Sequence, residues 1–227
     1  MKKIILTGIV LLSFAVSKSQ DCFSYFPSKV GAVCEYTNYD DKDKKTSIFT
    51  SKIEKFFTSG DTSYVSVYSE IRDTKTDSVT KTTYNVGCKD NTLYLGFENF
   101  GAMSTQNNMS MEIQGDYISL PSKLQVGQTL ANGLFTIIFK SAETVMFTTQ
   151  VNISNRKVES QETITTPAGT FDCFIISYQT DTKMAFIKTK SFTKQWYNSK
   201  YGLIKTETYN EKNKLFSKQI LTKIENF

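Results

Sequence analysis

The absence of histidine limits which residues could carry out catalysis. It excludes Ser-His-Asp and Cys-His nucleophile systems, histidine general bases and zinc sites with histidine ligands. The closest groupings of carboxylates are Asp40, Asp41 and Asp43, and the pair Glu159 and Glu162. The aspartates are interleaved with lysines in a predicted turn and lack the terminal glutamate of a calcium loop, so we interpret them as solvated surface. The pattern predicts a protein that is not an enzyme and that holds no metal and no cofactor.

Four cysteines are the other reactive side chains, and they stand at Cys22, Cys34, Cys88 and Cys173. Their spacing matches no CxxC metal site, and no histidine can activate a thiol. In an oxidising compartment three complete pairings are possible, and spacing does not choose among them. We favour a disulfide between Cys22 and Cys88, which would tie the start of the mature chain to the end of an early strand. Cys173 lies in an apolar run and is interpreted as a buried thiol.

The first 19 residues have the organisation of a signal peptide. Two lysines precede an apolar stretch over 4–16, and small residues occupy the positions before a cleavage site after Ser19. We expect an exported protein in the periplasm, associated with the outer membrane or extracellular. No second apolar run of spanning length follows, so the mature chain should contain no transmembrane span.

The charge of the mature chain argues against a nucleic-acid partner. Three of the 27 basic residues and none of the 22 acidic residues lie in the leader, so the mature chain carries a net charge of +2. A nucleic-acid-binding domain would show a strongly basic, clustered pattern. Composition supports a single β-rich domain over 20–227, because apolar residues make up 39% and charged residues 22% of the chain.

Alternation of apolar and polar residues, bounded by turn residues, is the main signal for secondary structure. It predicts an all-β, mainly antiparallel fold, because the strands are joined by short turns. We expect one large, curved antiparallel sheet that forms a half-barrel or a barrel. A short irregular or helical insert is predicted near 97–115. The predicted strands are 32–39, 46–57, 63–71, 79–88, 93–95, 134–140, 144–154, 157–165, 170–179, 184–194, 195–198, 203–209 and 214–224.

Candidates for a ligand-lining role come from the predicted insert and from the single tryptophan. They are Phe100, Met103, Met109, Met111 and Trp196. Methionine adapts to ligands of varied shape, so the insert could form an apolar gate, although it could equally be a plug that fills the half-barrel. An indole in a sheet usually packs in the core, and a ligand platform is the alternative.

The most specific stretch is TPAGTFDC at 166–173, followed by Trp196-Tyr197 and by GLIK at 202–205. With LPSKLQVGQTL at 120–130, these segments resemble the TapB-like exported proteins of the envelope of Gram-negative bacteria. The resemblance covers essentially the whole mature chain. It implies a half-barrel like that of lipoprotein carriers, in which a curved sheet wraps a short helical element and encloses an apolar cavity. It implies no activity for any residue, and Cys34 departs from the family pattern.

Two functional hypotheses follow from these features. The first is a non-catalytic binding module of the cell envelope, whose partner is a lipid or another apolar ligand held in the concave face. The second is a structural or interaction scaffold in envelope assembly, which would meet an envelope protein through an edge strand or exposed aromatic residues.

Overall fold

The computed structural model describes residues 22–95, 109–115, 118–141 and 144–227. These residues form one antiparallel sheet of 13 strands, in the order β6-β8-β9-β10-β11-β12-β13-β1-β2-β3-β4-β5-β7. The strands are β1 (Val33–Asp40), β2 (Lys45–Ser59), β3 (Thr62–Asp73), β4 (Val79–Lys89), β5 (Thr92–Leu95), β6 (Met109–Gly115), β7 (Ile118–Pro121), β8 (Gly133–Ser141), β9 (Thr144–Thr166), β10 (Gly169–Met184), β11 (Ile187–Asn198), β12 (Gly202–Asn210) and β13 (Leu215–Glu225).

The predicted all-β fold and the large antiparallel sheet are confirmed, and within the described part of the chain no hydrogen bonds between the two edge strands close the sheet. Local turn chemistry explains why the meander forms. Asp90 and Asn91 both adopt positive φ between β4 and β5, as a two-residue hairpin turn of type I′ requires. None of the described residues forms a helix long and apolar enough to cross a bilayer.

The prediction of an irregular or helical insert near 97–115 is wrong for its last residues. Residues 109–115 form β6, which pairs with β8 from Met109 opposite Ser141 to Gly115 opposite Phe135. The sequence MSMEIQG does alternate, but the residues before it, FENFGAMSTQNN at 97–108, have no such alternation and hid the pattern. The rest of the predicted insert, 97–108, lies outside the described residues.

Strand β9 is a second difference, since the predicted break at 155–156 is a distortion inside one 23-residue strand. Asn155 has a positive φ of 55° there. The pairing of β9 with β10 shifts nearby, between Ile175 and Ile176 and again between Ser177 and Gln179. Such irregularities are β-bulges, which bend a strand without ending it. The predicted strands 184–194 and 195–198 are one strand, β11, from Ile187 onward, whereas Met184 still belongs to β10.

The two edges of the sheet lie close together in space. Strands β6 and β7 occupy opposite edges, yet Gly115 and Ile118 are only three residues apart in the chain. Three residues span at most about 11 Å, whereas a flat sheet of this strand number would separate its edges by roughly 58 Å. Ile118 also packs with Phe135 on β8 and its neighbours. The sheet is therefore strongly curved, and one chain segment supplies both of its edges.

We call the region where these edges meet the seam, and the segment 122–132 runs along it. Its backbone joins β9 through Leu130 N–H to Arg156 C=O at 2.9 Å and Val158 N–H to Gln128 C=O at 2.9 Å. An isolated bridge pairs Thr129 with Lys157. Beyond the end of β7, the chain therefore stays bonded to β9, and backbone hydrogen bonds hold the seam there.

Substituting Gly115 with alanine is expected to destabilise the protein by about 2–3 kcal/mol, because positive-φ strain and a backbone clash coincide. Its φ is +129°, and an added Cβ would lie 2.4 Å from the carbonyl oxygen of Leu134. Urea unfolding would measure the loss. Gly133→Ala is the matched control on the adjacent strand, because there the nearest atom, on Ile118, is 3.6 Å away. Equal losses for both variants would contradict the prediction.

Candidate functional site

The N-terminal segment, residues 22–32, covers part of the inner face of the curved sheet. Cys22 forms a disulfide with Cys88 at the end of β4, with their Cα atoms 5.8 Å apart, so the structure shows the pairing that we favoured from the sequence. The Phe23 ring meets Phe56 edge-to-face at 5.4 Å between centroids. Gly31 N–H donates to Ile53 C=O at 2.8 Å. The segment is thus fixed at both of its ends.

Beneath this segment lies a cavity of about 140 Å³. We call it the apolar cavity, since most of its walls are aromatic or aliphatic. It is lined by Tyr25, Phe26, Pro27, Tyr36, Phe49, Ser51, Ile53, Tyr84, Leu93, Leu95, Tyr197, Leu203 and Gln219. These residues come from the N-terminal segment and from β1, β2, β4, β5, β11, β12 and β13, so only the folded sheet brings them together.

Three tyrosines supply polar groups to this cavity, two of them buried (Tyr36 and Tyr197) and one partly buried (Tyr84). The hydroxyl of Tyr36 donates to the carbonyl oxygen of Leu203 at 3.0 Å. Burial raises the pKa of Tyr36, and the neighbouring Cys34 raises it further. Burial also raises the pKa values of Tyr84 and Tyr197. All three hydroxyls therefore stay neutral at ordinary pH, and the cavity contains hydrogen-bonding groups without a charge.

Two free thiols are buried, at Cys34 and Cys173. Burial raises the pKa of each to about 12. Because the thiolate is the reactive form, neither cysteine is suited to nucleophilic catalysis. Among the described residues, no group of three or more acidic, cysteine or histidine side chains could hold a metal ion.

Stability should fall at alkaline pH because these groups ionise more easily in the unfolded chain. For Cys34 the pKa rises from 9.0 to about 12 on folding, so its contribution is complete below pH 9 and is lost up to pH 12. The raised pKa values of the three tyrosines, Tyr36, Tyr84 and Tyr197, also contribute stability, which is complete below pH 10 and is lost as the pH rises further. Urea midpoints measured across this range should decrease, with a shallower decrease for Cys34→Ala. A midpoint that stays constant to pH 12 would refute this.

Arg156 is buried beside the seam, and it is 4% exposed. Its Nη1 donates to the carbonyl oxygens of Ser119 at 3.0 Å and Ala131 at 2.6 Å. Burial lowers the pKa of the guanidinium, while Tyr197 and Tyr178 act in the opposite direction. Among the described residues its Nε has no hydrogen-bond partner. One side chain on β9 therefore links β7 to the segment that follows it.

The comparison with protein families matches the DUF3108-like family to residues 29–221. The chain belongs to the DUF3108-like family. The matched residues include all strands from β1 to β12, the seam and Arg156, whereas Cys22 lies before them. Among curated proteins, none matches this chain.

Two crystal structures share the fold of this DUF3108-like protein. One, from Bacteroides fragilis, is provisionally described as an exported protein with a YmcC-like fold, and it matches with a TM-score of 0.73 and 18% identity over 90% of this chain and 100% of its own. The other, from Parabacteroides distasonis, is provisionally described as a lipoprotein. It matches with a TM-score of 0.76 and 22% identity over 91% of this chain and 100% of its own. At these identities the likeness establishes the fold.

The ligand-lining candidates from the sequence do not meet at one site among the described residues. Phe100 and Met103 lie outside those residues, and Met109 and Met111 belong to β6. Trp196 is 5% exposed and packs in a second cluster with Phe171, Cys173 and others. Its indole N–H donates to Glu162 Oε1 at 2.5 Å, and Lys205 lies over its ring at 4.5 Å. Trp196 is outside the lining of the apolar cavity.

Sequence reasoning missed the tyrosines of the apolar cavity and the role of Arg156. A signal for Arg156 was present, because only two of the 27 basic residues in this DUF3108-like chain are arginines. Arginine presents a fixed fork of donors, so its use in a lysine-rich chain indicates a geometric requirement. No comparable signal existed for the tyrosines, which are abundant along the whole sequence.

Proposed function

We propose that this DUF3108-like protein is an exported, non-catalytic binding module of the cell envelope that holds an apolar ligand, such as part of a lipid, in its apolar cavity. The observation that carries the proposal is the cavity itself, at about 140 Å³ and with mainly aromatic and aliphatic walls. Preformed pockets lined mainly by apolar groups, with a few polar groups that fix orientation, are typical ligand sites.

The volume limits what the ligand can be. Pockets for whole drug-sized molecules occupy about 300–1,000 Å³, whereas a dry void of roughly 150 Å³ accepts benzene. The apolar cavity is therefore suited to a small ring or to the end of an acyl chain. Ser51 and Gln219, which also line it, could bond a polar group at the ligand's boundary.

Export is the second part of the proposal, and three observations support it. The leader has signal-peptide organisation, and a disulfide links Cys22 to Cys88. Disulfides persist mainly in oxidising compartments. The two structures that share the fold are described provisionally as an exported protein and as a lipoprotein. Membership of the TapB-like proteins and a position in the periplasm or at the outer membrane remain predictions.

Native mass spectrometry of the mature protein, purified gently from its own envelope fraction, tests whether a ligand is present. We expect a discrete added mass that solvent extraction removes and that behaves as a lipid or other apolar compound. A bare mass that stays bare after incubation with host lipids and with benzene would count against the proposal.

A cavity-filling variant tests whether the ligand occupies the apolar cavity. Benzene at a hundred times its dissociation constant should stabilise the parent protein by about 2.7 kcal/mol. Ser51→Leu should abolish this gain, because Ser51 lines the cavity. Thr50→Leu is the control, since adjacent residues of a strand point to opposite faces. Thermal unfolding with and without benzene gives both values, and an unchanged gain in Ser51→Leu would locate binding elsewhere.

The alternative function is an interaction scaffold, and the sheet edges favour it. Residues 79–86 of β4 have no second strand partner within the described part of the chain, because β5 pairs only with Gly87–Lys89. An exposed edge can accept a strand from another protein. A discrete envelope partner that slows amide exchange in β4 or β6 would favour the scaffold over the binding module.

A further inference from the structure

Large apolar side chains are exposed at the ends of two neighbouring hairpins, β8–β9 and β10–β11. Phe186 is 94% exposed, Met146 is 58% exposed and Ile187 is 53% exposed. We define the hairpin-tip patch by six residues. Three belong to β9 (Val145, Met146 and Phe147), and three belong to the end of β10, the turn after it and the start of β11 (Met184, Phe186 and Ile187). Scattered exposed apolar residues are normal, but a group at one end of a sheet marks an interaction surface.

Strand pairing places these two tips side by side. Met184 lies opposite Thr149 of β9 and opposite Ile187 of β11. Phe147 is two residues from Thr149 and therefore projects from the same face of the sheet. Its ring stacks on Phe139 of β8 with 4.4 Å between centroids. Phe139, Phe147, Met184 and Ile187 thus lie on one face of four neighbouring strands, close to the exposed Phe186 at the hairpin tip.

Positive charge borders the patch, and Asp181 and Glu211, which line the same surface pocket, compensate it only in part. Lys183 and Lys188 lie directly opposite each other on β10 and β11. Like charges in this arrangement destabilise a sheet. The other pair nearby, Lys190 and Asp181, forms a weak ion pair at 3.9 Å. Among the described residues, no acidic group lies within 4.0 Å of Lys183 or Lys188, so these two ammonium groups are available to an external anion.

We propose that the hairpin-tip patch docks onto the surface of an anionic lipid bilayer. The side chains of Phe186, Ile187 and Met146 enter the boundary between headgroups and acyl chains. Lys183 and Lys188, which project from the opposite face to Met184 and Ile187, extend their apolar stems towards the hairpin tip and place their ammonium groups at the lipid phosphates. Binding of this kind combines buried apolar area with electrostatic attraction to anionic lipids.

Two features favour a bilayer over a protein partner. Lysine is depleted at the centre of protein interfaces, yet here two lysines adjoin the most exposed phenylalanine. The patch also consists of projecting strand ends, which suit shallow insertion better than the broad surface of about 800 Å² that each side of a stable protein complex buries. The proposal concerns the outside of the sheet and is independent of ligand binding in the apolar cavity.

Flotation of the mature protein with vesicles tests the proposal. Vesicles of phosphatidylcholine alone are compared with an equimolar mixture of phosphatidylcholine and phosphatidylglycerol, at low and at high salt. We expect binding to the anionic vesicles that decreases with salt. Phe186→Ser should weaken binding by a factor of about 10 to 100, since burial of a phenylalanine contributes about 1.5–3 kcal/mol. The double variant Lys183→Gln, Lys188→Gln should weaken it about tenfold or more at low salt.

A matched control lies away from the patch, next to Gly127, which bonds to Val158 of β9. Val126 is 57% exposed, so Val126→Ser should bind like the parent. Phe186→Trp gives a direct readout, because its emission should shift to the blue on insertion while the buried Trp196 stays constant. Ser51→Leu should also bind normally, which separates docking from the cavity. Equal binding to neutral vesicles, equal loss in Val126→Ser, or binding to an isolated envelope protein but not to vesicles would each overturn the proposal.

Discussion

Removing the disulfide by changing Cys22 and Cys88 to alanine should lower the free energy of unfolding by about 4 kcal/mol, the chain-entropy value for a closed loop of this size. The two cysteines are 66 residues apart in sequence. The bond also anchors the N-terminal segment, whose Phe23 and Tyr25 belong to the main apolar cluster with Val65 and Val67. Loss of the bond should therefore increase the entropy of the unfolded chain and also weaken the anchoring of the N-terminal segment over the apolar cavity.

Urea unfolding with and without a reductant measures this effect. Reduction of the parent should give most of the loss, because it breaks the bond without changing side-chain volume. Cys34→Ala serves as the control, since Cys34 is a free thiol buried in the second cluster. Its unfolding should retain the full sensitivity to reductant, whereas the double variant should have none. A parent that is insensitive to reductant would show that the bond does not stabilise the fold.

Changing Arg156 to methionine should destabilise the protein by about 2–4 kcal/mol. The variant keeps an apolar stem but loses both hydrogen bonds from Nη1 to the carbonyl oxygens of Ser119 and Ala131. Bonds to charged groups contribute about 1.5–3 kcal/mol each, and relief of the guanidinium's desolvation offsets part of that loss. The seam should open, so the amides of Gly127, Leu130 and Val158, which bond across it, should exchange faster with solvent.

The other arginine provides a matched control with the same substitution. Arg72 is half-exposed and pairs with Asp77 at 3.1 Å. Exposed pairs contribute about 0–1 kcal/mol, so Arg72→Met should change stability little and leave amide exchange at the seam unaltered. Equal losses for the two variants, or unchanged exchange in Arg156→Met, would show that Arg156 does not hold the seam.

Ligand capture and docking would reinforce each other if both proposals hold. The apolar cavity lies under the N-terminal segment, whereas the hairpin-tip patch lies at strand ends on β8 to β11. A module bound to a bilayer by the patch would stay near a source of acyl chains. The two tests remain separate, because Ser51→Leu removes ligand binding and Phe186→Ser removes docking.

Local features of the sequence were sufficient for the fold class and for most strands. The alternation in β3 and β4 depends on neighbours in the chain, and it predicted what the structure shows. Period-two patterns report which face of a strand is buried, so they need no knowledge of the partner strand. The net charge and the absence of histidine were equally readable, since composition alone determines them.

Only the tertiary structure decided the continuity of β9, the strand at 109–115 and the apolar cavity. Asn155 interrupts the pattern of β9 as a turn would, but pairing with β10 continues on both sides of it. Tyr36 and Leu203, which meet at the cavity, are 167 residues apart, and Arg156 reaches back 37 residues to Ser119. Such contacts depend on the curvature of the whole sheet and on the register in which its strands pair. No local pattern of residues contains that information.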